Sequence, residues 1–315
     1  MTENGTVLVT GGAGFIGSHL TAQLLQRGWR VRIFDNFYRP DQRRVAELAG
    51  HDRLEIVEGD VRYRAAVERA MSGVDRVVHL AALAINKSVA APTESFDVNL
   101  MGTQHVAESA CEAGVERFVF ASSASVYGDP KKLPMSETDE ADPRTPYCIS
   151  KLAGERLLGF FEETRGLSWM ALRFFNVYGP GQRTDAYYTS VVLTFLRRIA
   201  NGDAPIIDGD GEQSMDFIHV HDIARSLVMA LESDVSGAVL NVGTGVSTSI
   251  RDLARILIQH MGVDVEPVFR PRAVLVSRRA ADISRIRAVL GWQPTIDVEA
   301  GLRTVVDEFK AELSR

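Results

Sequence analysis

The chain predicts an α/β protein built on a doubly wound parallel sheet. Three observations predict this. Short apolar runs of strand length alternate with longer runs of helical periodicity through the first half. A glycine-rich turn joins the first strand to the first helix. The strands close in small or short polar residues, at the carboxyl ends where such sheets bind ligands. A chain of 315 residues, 45% hydrophobic and 24% charged, is long enough for a sizeable core and two lobes.

Thr6-Val7-Leu8-Val9-Thr10 is the first strand, followed by Gly11-Gly12-Ala13-Gly14-Phe15-Ile16-Gly17 and an apolar helical run through Leu20, Leu24 and Leu25. Gly11 suits a tight turn, Gly14 lets backbone approach a pyrophosphate, and Gly17 allows close helix packing, with the helix N-terminus facing the anion. A second strand over 29–34 ends at Asp35, about 20 residues past the glycines, where an acid binds a ribose diol. Asp35 would repel a 2′-phosphate, so NAD is expected rather than NADP. Further strands are expected over 54–57, 74–80 and 117–121. Asp60 follows the third, Ala81-Ala82 the fourth and Ser122-Ser123 the fifth.

Tyr147-Cys148-Ile149-Ser150-Lys151 carries the chemistry. One helical turn puts Tyr147 and Lys151 on the same face, where the ammonium favours phenolate and lowers a pKa that starts near 10. The pair is a proton acceptor usable at neutral pH.

Composition excludes other classes. The formal net charge of -6 and scattered 35 Lys and Arg lack the basic stripe that duplex nucleic acid needs. No apolar stretch approaches a membrane span, and the N-terminus enters a strand pattern without signal-peptide architecture, so a cytosolic protein is expected. Cys111 and Cys148 lie on separate helical patterns and read as packing residues. His219 and His221 are expected on one side of a strand, in a structural or substrate-lining role, since no third ligand stands at metal-site spacing.

Taken together, Thr10 to Gly17, Asp35-Asn36, Asp60-Val61, His79-Leu80-Ala81-Ala82, Asn99, Ser122 to Gly128, Tyr147 to Lys151 and Arg173-Phe174-Phe175-Asn176-Val177-Tyr178-Gly179-Pro180 resemble the extended short-chain dehydrogenase/reductase family, and within it the nucleotide-sugar epimerases. The resemblance covers nearly the whole chain. It implies a Rossmann domain over 1–176 and a mainly nucleotide-sugar-binding lobe over 177–315, with a late strand and helix returning to the main sheet. It implies that Ser123 bonds the reacting sugar hydroxyl beside Tyr147 and that Lys151 also holds the nicotinamide ribose. Asp60 and Val61 would border the adenine, Ala81 and Ala82 the pyrophosphate and ribose path, with Phe15, Ile16, Asn36 and Leu80 also in the cofactor site. Asn99 would support the active-site region through its helix, and Asn176 would contact substrate.

Related dehydratases and decarboxylases carry acidic residues just after the catalytic Ser or Thr; here those positions are Ala124 and Ser125. The remaining Ser, Tyr and Lys suit reversible oxidation at one carbon, hence a 4-epimerase acting on a UDP-hexose or derivative. The rivals are a decarboxylase or dehydratase of the same family and, from another class, a non-catalytic dinucleotide sensor or scaffold.

The second half departs from the family pattern. Met215 stands where many relatives place an Arg that clamps the substrate diphosphate. Arg270-Pro271-Arg272-Ala273-Val274-Leu275 keeps cations but lacks the usual Gly-Asp pair. Arg272, Arg278 and Arg279 could compensate, or form an exposed basic cluster; Arg183 and Lys87 are further candidates for the clamp. Arg279, counted back from Ala281-Asp282, falls near a position that gates sugar size in the epimerases, where a cation could favour a uronic acid. Helices are expected from about Ser249 and over 298–313. The resemblance also implies a homodimer through helices around 95–113 and 147–164.

Overall fold

The computed structural model describes residues 5–183, 190–271 and 278–314. Its centre is a seven-stranded sheet whose strands all run parallel. The strands are β1 (Thr6–Thr10), β2 (Arg30–Asp35), β3 (Leu54–Glu58), β4 (Arg76–His79), β5 (Arg117–Ser123), β6 (Trp169–Phe174) and Ala238–Val242. In space the order is Ala238–Val242, β6, β5, β4, β1, β2, β3. The order reverses between β1 and β4, and a crevice opens at the carboxyl ends there.

Both faces of the sheet are covered, which is why its strands read as nearly continuous apolar runs. In β1, Val7 and Val9 point into one core and Leu8 into another, and all three are fully buried. The Val7 face packs against helix α1 (Phe15–Gln26) and the helix Val220–Glu232, through Leu20, Leu24, Ile223 and Leu227. The Leu8 face packs against the helices Gly102–Ala113 and Pro146–Arg165, through Val106, Ala110, Leu158 and Phe161. A third core joins the helices Val191–Ala200, Ile250–Met261 and Val298–Leu313 around Leu196, Leu253, Leu257 and Leu302.

Strand bounds differ from the sequence reading at the ends. β5 runs on through Ser122 and Ser123, because these two pair with Arg173 and Phe174 of β6. The strand Ala238–Val242 returns to the main sheet beside β6, with Ala238 opposite Met170, so the lobe is interleaved with the sheet. Ser249 caps the helix Ile250–Met261 by accepting from Asp252 N, and the last helix spans Val298–Leu313, both as expected.

His219 and His221 do not share a strand face. The strand ends at His219, whose Nδ1 accepts from His221 N as the cap of the helix Val220–Glu232. Asp222 in the first turn favours helix over a longer strand. Among the described residues no group of three or more His, Cys, Asp or Glu is arranged to hold a metal ion, and no helix is long and apolar enough to cross a membrane.

Candidate active site

The crevice holds a cavity of about 720 Å3 lined by the glycine turn, the ends of β2 to β5, and the helix Pro146–Arg165. Gly11 sits at φ +70, and a Cβ there would lie 2.7 Å from Ala81 N; backbone of the first and fourth strand ends meets with no room for a side chain. A Cβ on Gly17 would meet Gly12 Cα at 2.6 Å, so the start of α1 packs against its own preceding turn. Gly14 differs: its nearest neighbour would be Gly11 O at 3.3 Å, and it caps α1 facing the cavity. That leaves backbone N–H groups open to an anion.

Asp35 ends β2 on the cavity wall, where its carboxylate accepts from Ala13 N at 3.0 Å and Phe37 N at 2.8 Å. Burial pushes its carboxyl upward, opposed by those two amides. Asp60 accepts from Arg62 Nη2 at 2.7 Å and from Asn36 Nδ2 at 2.9 Å. Its carboxyl falls to about 2, because these bonds outweigh burial, which acts to raise it. Phe15, Ile16, Asn36, Asp60, Val61, Leu80, Ala81 and Ala82 all line the same cavity. Below it, His79 lies between Thr10 Oγ1 at 2.6 Å and Thr103 Oγ1 at 2.9 Å. Burial, assisted by Lys151, pushes its imidazole down to about 3, so it stays neutral.

The helix Pro146–Arg165 carries Tyr147 and Lys151 to the cavity wall. Pro146 opens it, Thr145 Oγ1 caps it by accepting from Cys148 N, and Gly166 closes it at φ 70. Tyr147 N donates to Ser88 Oγ at 3.2 Å, fixing the first turn. The Lys151 ammonium is buried, donates to Ala121 O at 2.8 Å, and lies 5.6 Å from the centre of the Tyr147 ring. Burial pushes it down to about 7 against the pull of Glu155, so at neutral pH it sits near its own titration midpoint. Ser123 Oγ accepts from Ser125 N at 3.2 Å and Ser125 Oγ at 2.8 Å, which leaves its own proton for another acceptor.

Three residues stand behind or beside this wall. Asn99 is buried and spends its amide on Leu83 N, Leu83 O and Ser95 Oγ, so its contacts go to Leu83, which lines the cavity, and not to the cavity itself. Asn176 donates from Nδ2 to Asp216 O at 3.2 Å, on a short strand paired with Phe217–His219. Met215 pairs with Thr248 and offers no cation.

The candidate cations separate. Arg183 lines the same cavity as the glycine turn, beside Gly181 and Gln182. Lys87 lines it too, 3.3 Å from Glu94. Arg279 is half-buried and donates from Nη2 to Gly128 O at 2.8 Å, at the far end of the turn that begins at Ser123. Burial lowers its guanidinium, opposed by Asp129 and Cys148. Arg278 is exposed, and Arg272 lies outside the described residues.

Sequence reasoning did not single out Glu155, which lies one turn past Lys151 on the same helix. Glu155 takes Ser122 Oγ at 2.5 Å and Arg173 Nη2 at 2.7 Å. Its position four residues past Lys151, on the same helix face, was the available signal.

The family model described as NAD dependent epimerase/dehydratase matches residues 7–243. The chain belongs to that family. It is 34% identical over 308 residues to a putative UDP-glucose 4-epimerase of Methanocaldococcus jannaschii, covering 96% of this chain and 98% of the relative. Two solved structures share the fold. A UDP-N-acetylglucosamine 4-epimerase from Methanobrevibacter ruminantium in complex with UDP-N-acetylmuramic acid superimposes with TM-score 0.92 at 33% identity, covering 99% of this chain and 100% of that one. The Thermus thermophilus UDP-glucose 4-epimerase in complex with NAD gives TM-score 0.85 at 34% identity, covering 97% and 99%. As in this epimerase/dehydratase family generally, the cofactor is NAD. The open approach at Gly14, the amides of α1 and the carboxylate of Asp35 fit its pyrophosphate and its ribose diol.

Proposed function

We propose that this enzyme is a 4-epimerase of nucleotide-diphosphate sugars, acting on a UDP-hexose or a derivative of one. The observation that carries the reading is the placement of Tyr147 and Lys151 on the wall of the cavity that the glycine turn and Asp35 also line. NAD, when bound, supplies the hydride acceptor and returns the hydride. Tyr147 takes the proton of the sugar hydroxyl as its carbon becomes a ketone, and gives it back after the sugar has turned its other face. Lys151 holds the phenolate charge and the nicotinamide ribose. Ser123, whose Oγ accepts from Ser125 N and Ser125 Oγ and keeps its own proton to donate, bonds the reacting oxygen in this reading. Ala124 and Ser125 supply no carboxylate for elimination, which favours epimerisation over loss of water or carbon dioxide.

Asn176, Arg183 and Arg279 are proposed to contact the substrate. Arg279 is the candidate to read the sugar end, because its half-buried guanidinium lies on Gly128 beside the Ser123 turn. A cation there favours a sugar bearing a carboxylate. Incubating the protein with a panel of UDP, dTDP, GDP and CDP sugars, UDP-glucuronate included, and assigning products by NMR tests this. Conversion at C4 of a UDP sugar is expected; loss of carbon dioxide or water would assign the protein to the decarboxylases or dehydratases, and binding of NAD with no turnover would make it a sensor.

A homodimer is part of the same reading. Met101, Ile149 and Phe160 are exposed apolar residues on or beside the two helices expected to pair, with Phe160 54% exposed. A cytosolic location completes it.

A further inference from the structure

Directly beneath Tyr147 and Lys151 runs a buried polar chain that the reaction above does not use. Glu155 lies one turn beyond Lys151 and is almost fully buried. Its Oε1 accepts from Ser122 Oγ at 2.5 Å and from Arg173 Nε at 2.9 Å, and its Oε2 from Arg173 Nη2 at 2.7 Å. Arg173, equally buried on β6, lies 4.8 Å from the centre of the Tyr127 ring, and the Tyr127 hydroxyl donates to Asn241 Oδ1 at 2.7 Å. The chain thus spans three strands of the sheet and the catalytic helix.

A buried ion pair is weak support for stability, because apolar residues of equal volume often serve as well. Its position suggests another use. The groups facing Lys151 are Tyr147 and Glu155 on its own helix, neutral His79 on β4, and the Ala121 carbonyl and Phe120 ring on β5, with Ser122 and Arg173 behind Glu155. Of these, Glu155 is the carboxylate, and it acts to keep the ammonium protonated where burial acts to discharge it.

Resting on the epimerase reading, we propose that Glu155 is a positioning residue: clamped by Ser122 and Arg173, its carboxylate keeps the buried Lys151 ammonium charged while Tyr147 carries the sugar proton. Glu155 is not among the residues that line the cavity, so it acts through Lys151. Tyr127 belongs to the outer end of the clamp, where burial pushes its phenol up to about 12 and so keeps it neutral.

The test is the pH profile of kcat/KM for the holoenzyme with its UDP sugar. The basic limb reports loss of the Lys151 proton. In Glu155→Gln, which keeps an oxygen for Ser122 but removes the charge, that limb moves to lower pH by about one unit. At neutral pH, where wild-type Lys151 is near its midpoint, kcat falls about fivefold with KM within about twofold. Glu155→Asp restores the wild-type limb, and Arg173→Gln, which leaves the carboxylate unopposed, moves it the other way. A limb that stays in place in a folded Glu155→Gln or Arg173→Gln variant overturns the proposal. So does failure of both variants to fold, which would assign the clamp to stability alone. Wild-type protein without turnover of any UDP sugar would instead count against the epimerase reading, while wild-type turnover with an unmoved limb counts against Glu155 only.

Discussion

A lysine withdrawn from water costs the fold stability, and the consequence is measurable. Lys151 falls from its ordinary 10.5 to about 7 because it is buried, with Glu155 pulling the other way. Between those pH values the unfolded chain binds a proton that the folded chain releases. The group therefore destabilises the fold by an amount that is absent above 10.5, grows as pH falls toward about 7, and is constant below. Lys151→Met should raise the melting temperature of the cofactor-free protein at neutral pH by about 3 °C and lower turnover at least about 100-fold. Calorimetry that shows no gain, or a loss, would contradict the burial argument. Asp60 has the opposite sign, with stability present above its ordinary value of 3.8 and lost as pH falls through about 2. Tyr147 and Lys151 were legible in the sequence because residues four apart on a helix must share a face. Glu155 with Arg173 was not, because the pairing depends on β6 lying beside β5 and the helix crossing both.

Among the elements, the glycine turn and α1 separate stability from binding. Gly17→Ala would press a methyl against Gly12 Cα at 2.6 Å, so it should destabilise by about 2 kcal/mol. Gly14→Ala meets only Gly11 O, at 3.3 Å, a tight contact that a shift of a few tenths of an ångström relieves, so it should lower the melting temperature of the cofactor-free protein much less than Gly17→Ala. Its methyl would stand where the pyrophosphate approaches, and NAD affinity should fall at least about tenfold. Titration calorimetry beside thermal melts checks both; equal stability losses, or unchanged NAD binding in Gly14→Ala, would contradict the assignment. This turn was legible because its glycines, strand and helix come in fixed order with Asp35 after them. The helix start at Val220 was less so, since His219 and His221 alternate like strand residues and only the cap at His219 shows where the strand stops. The cation for the substrate diphosphate stayed open in the sequence for a related reason: Arg183 and Arg279 lie on irregular segments whose placement no periodicity sets.

At the scale of the molecule, the doubly wound sheet was legible from its alternating strands and helices, whereas the interleaving of the lobe rests on a long-range pairing. Ala238–Val242 finds β6 rather than the lobe because its Leu240 and Val242 complete the core under the sheet. The proposed dimer makes a prediction of its own. Light scattering should give twice the chain mass, and Phe160→Glu, a change far from the cavity lining, should give the monomer mass with NAD affinity kept. A monomeric wild type would remove that face from the account. The most direct test of the central claim uses a UDP-hexose carrying deuterium at C4. If Tyr147 takes a proton while the hydrogen on carbon leaves and returns within one site, the C4 epimer forms with its deuterium retained, and Tyr147→Phe forms none while still binding NAD. Epimer whose deuterium has exchanged with solvent, or a Tyr147→Phe variant that turns over at the wild-type rate, would contradict it.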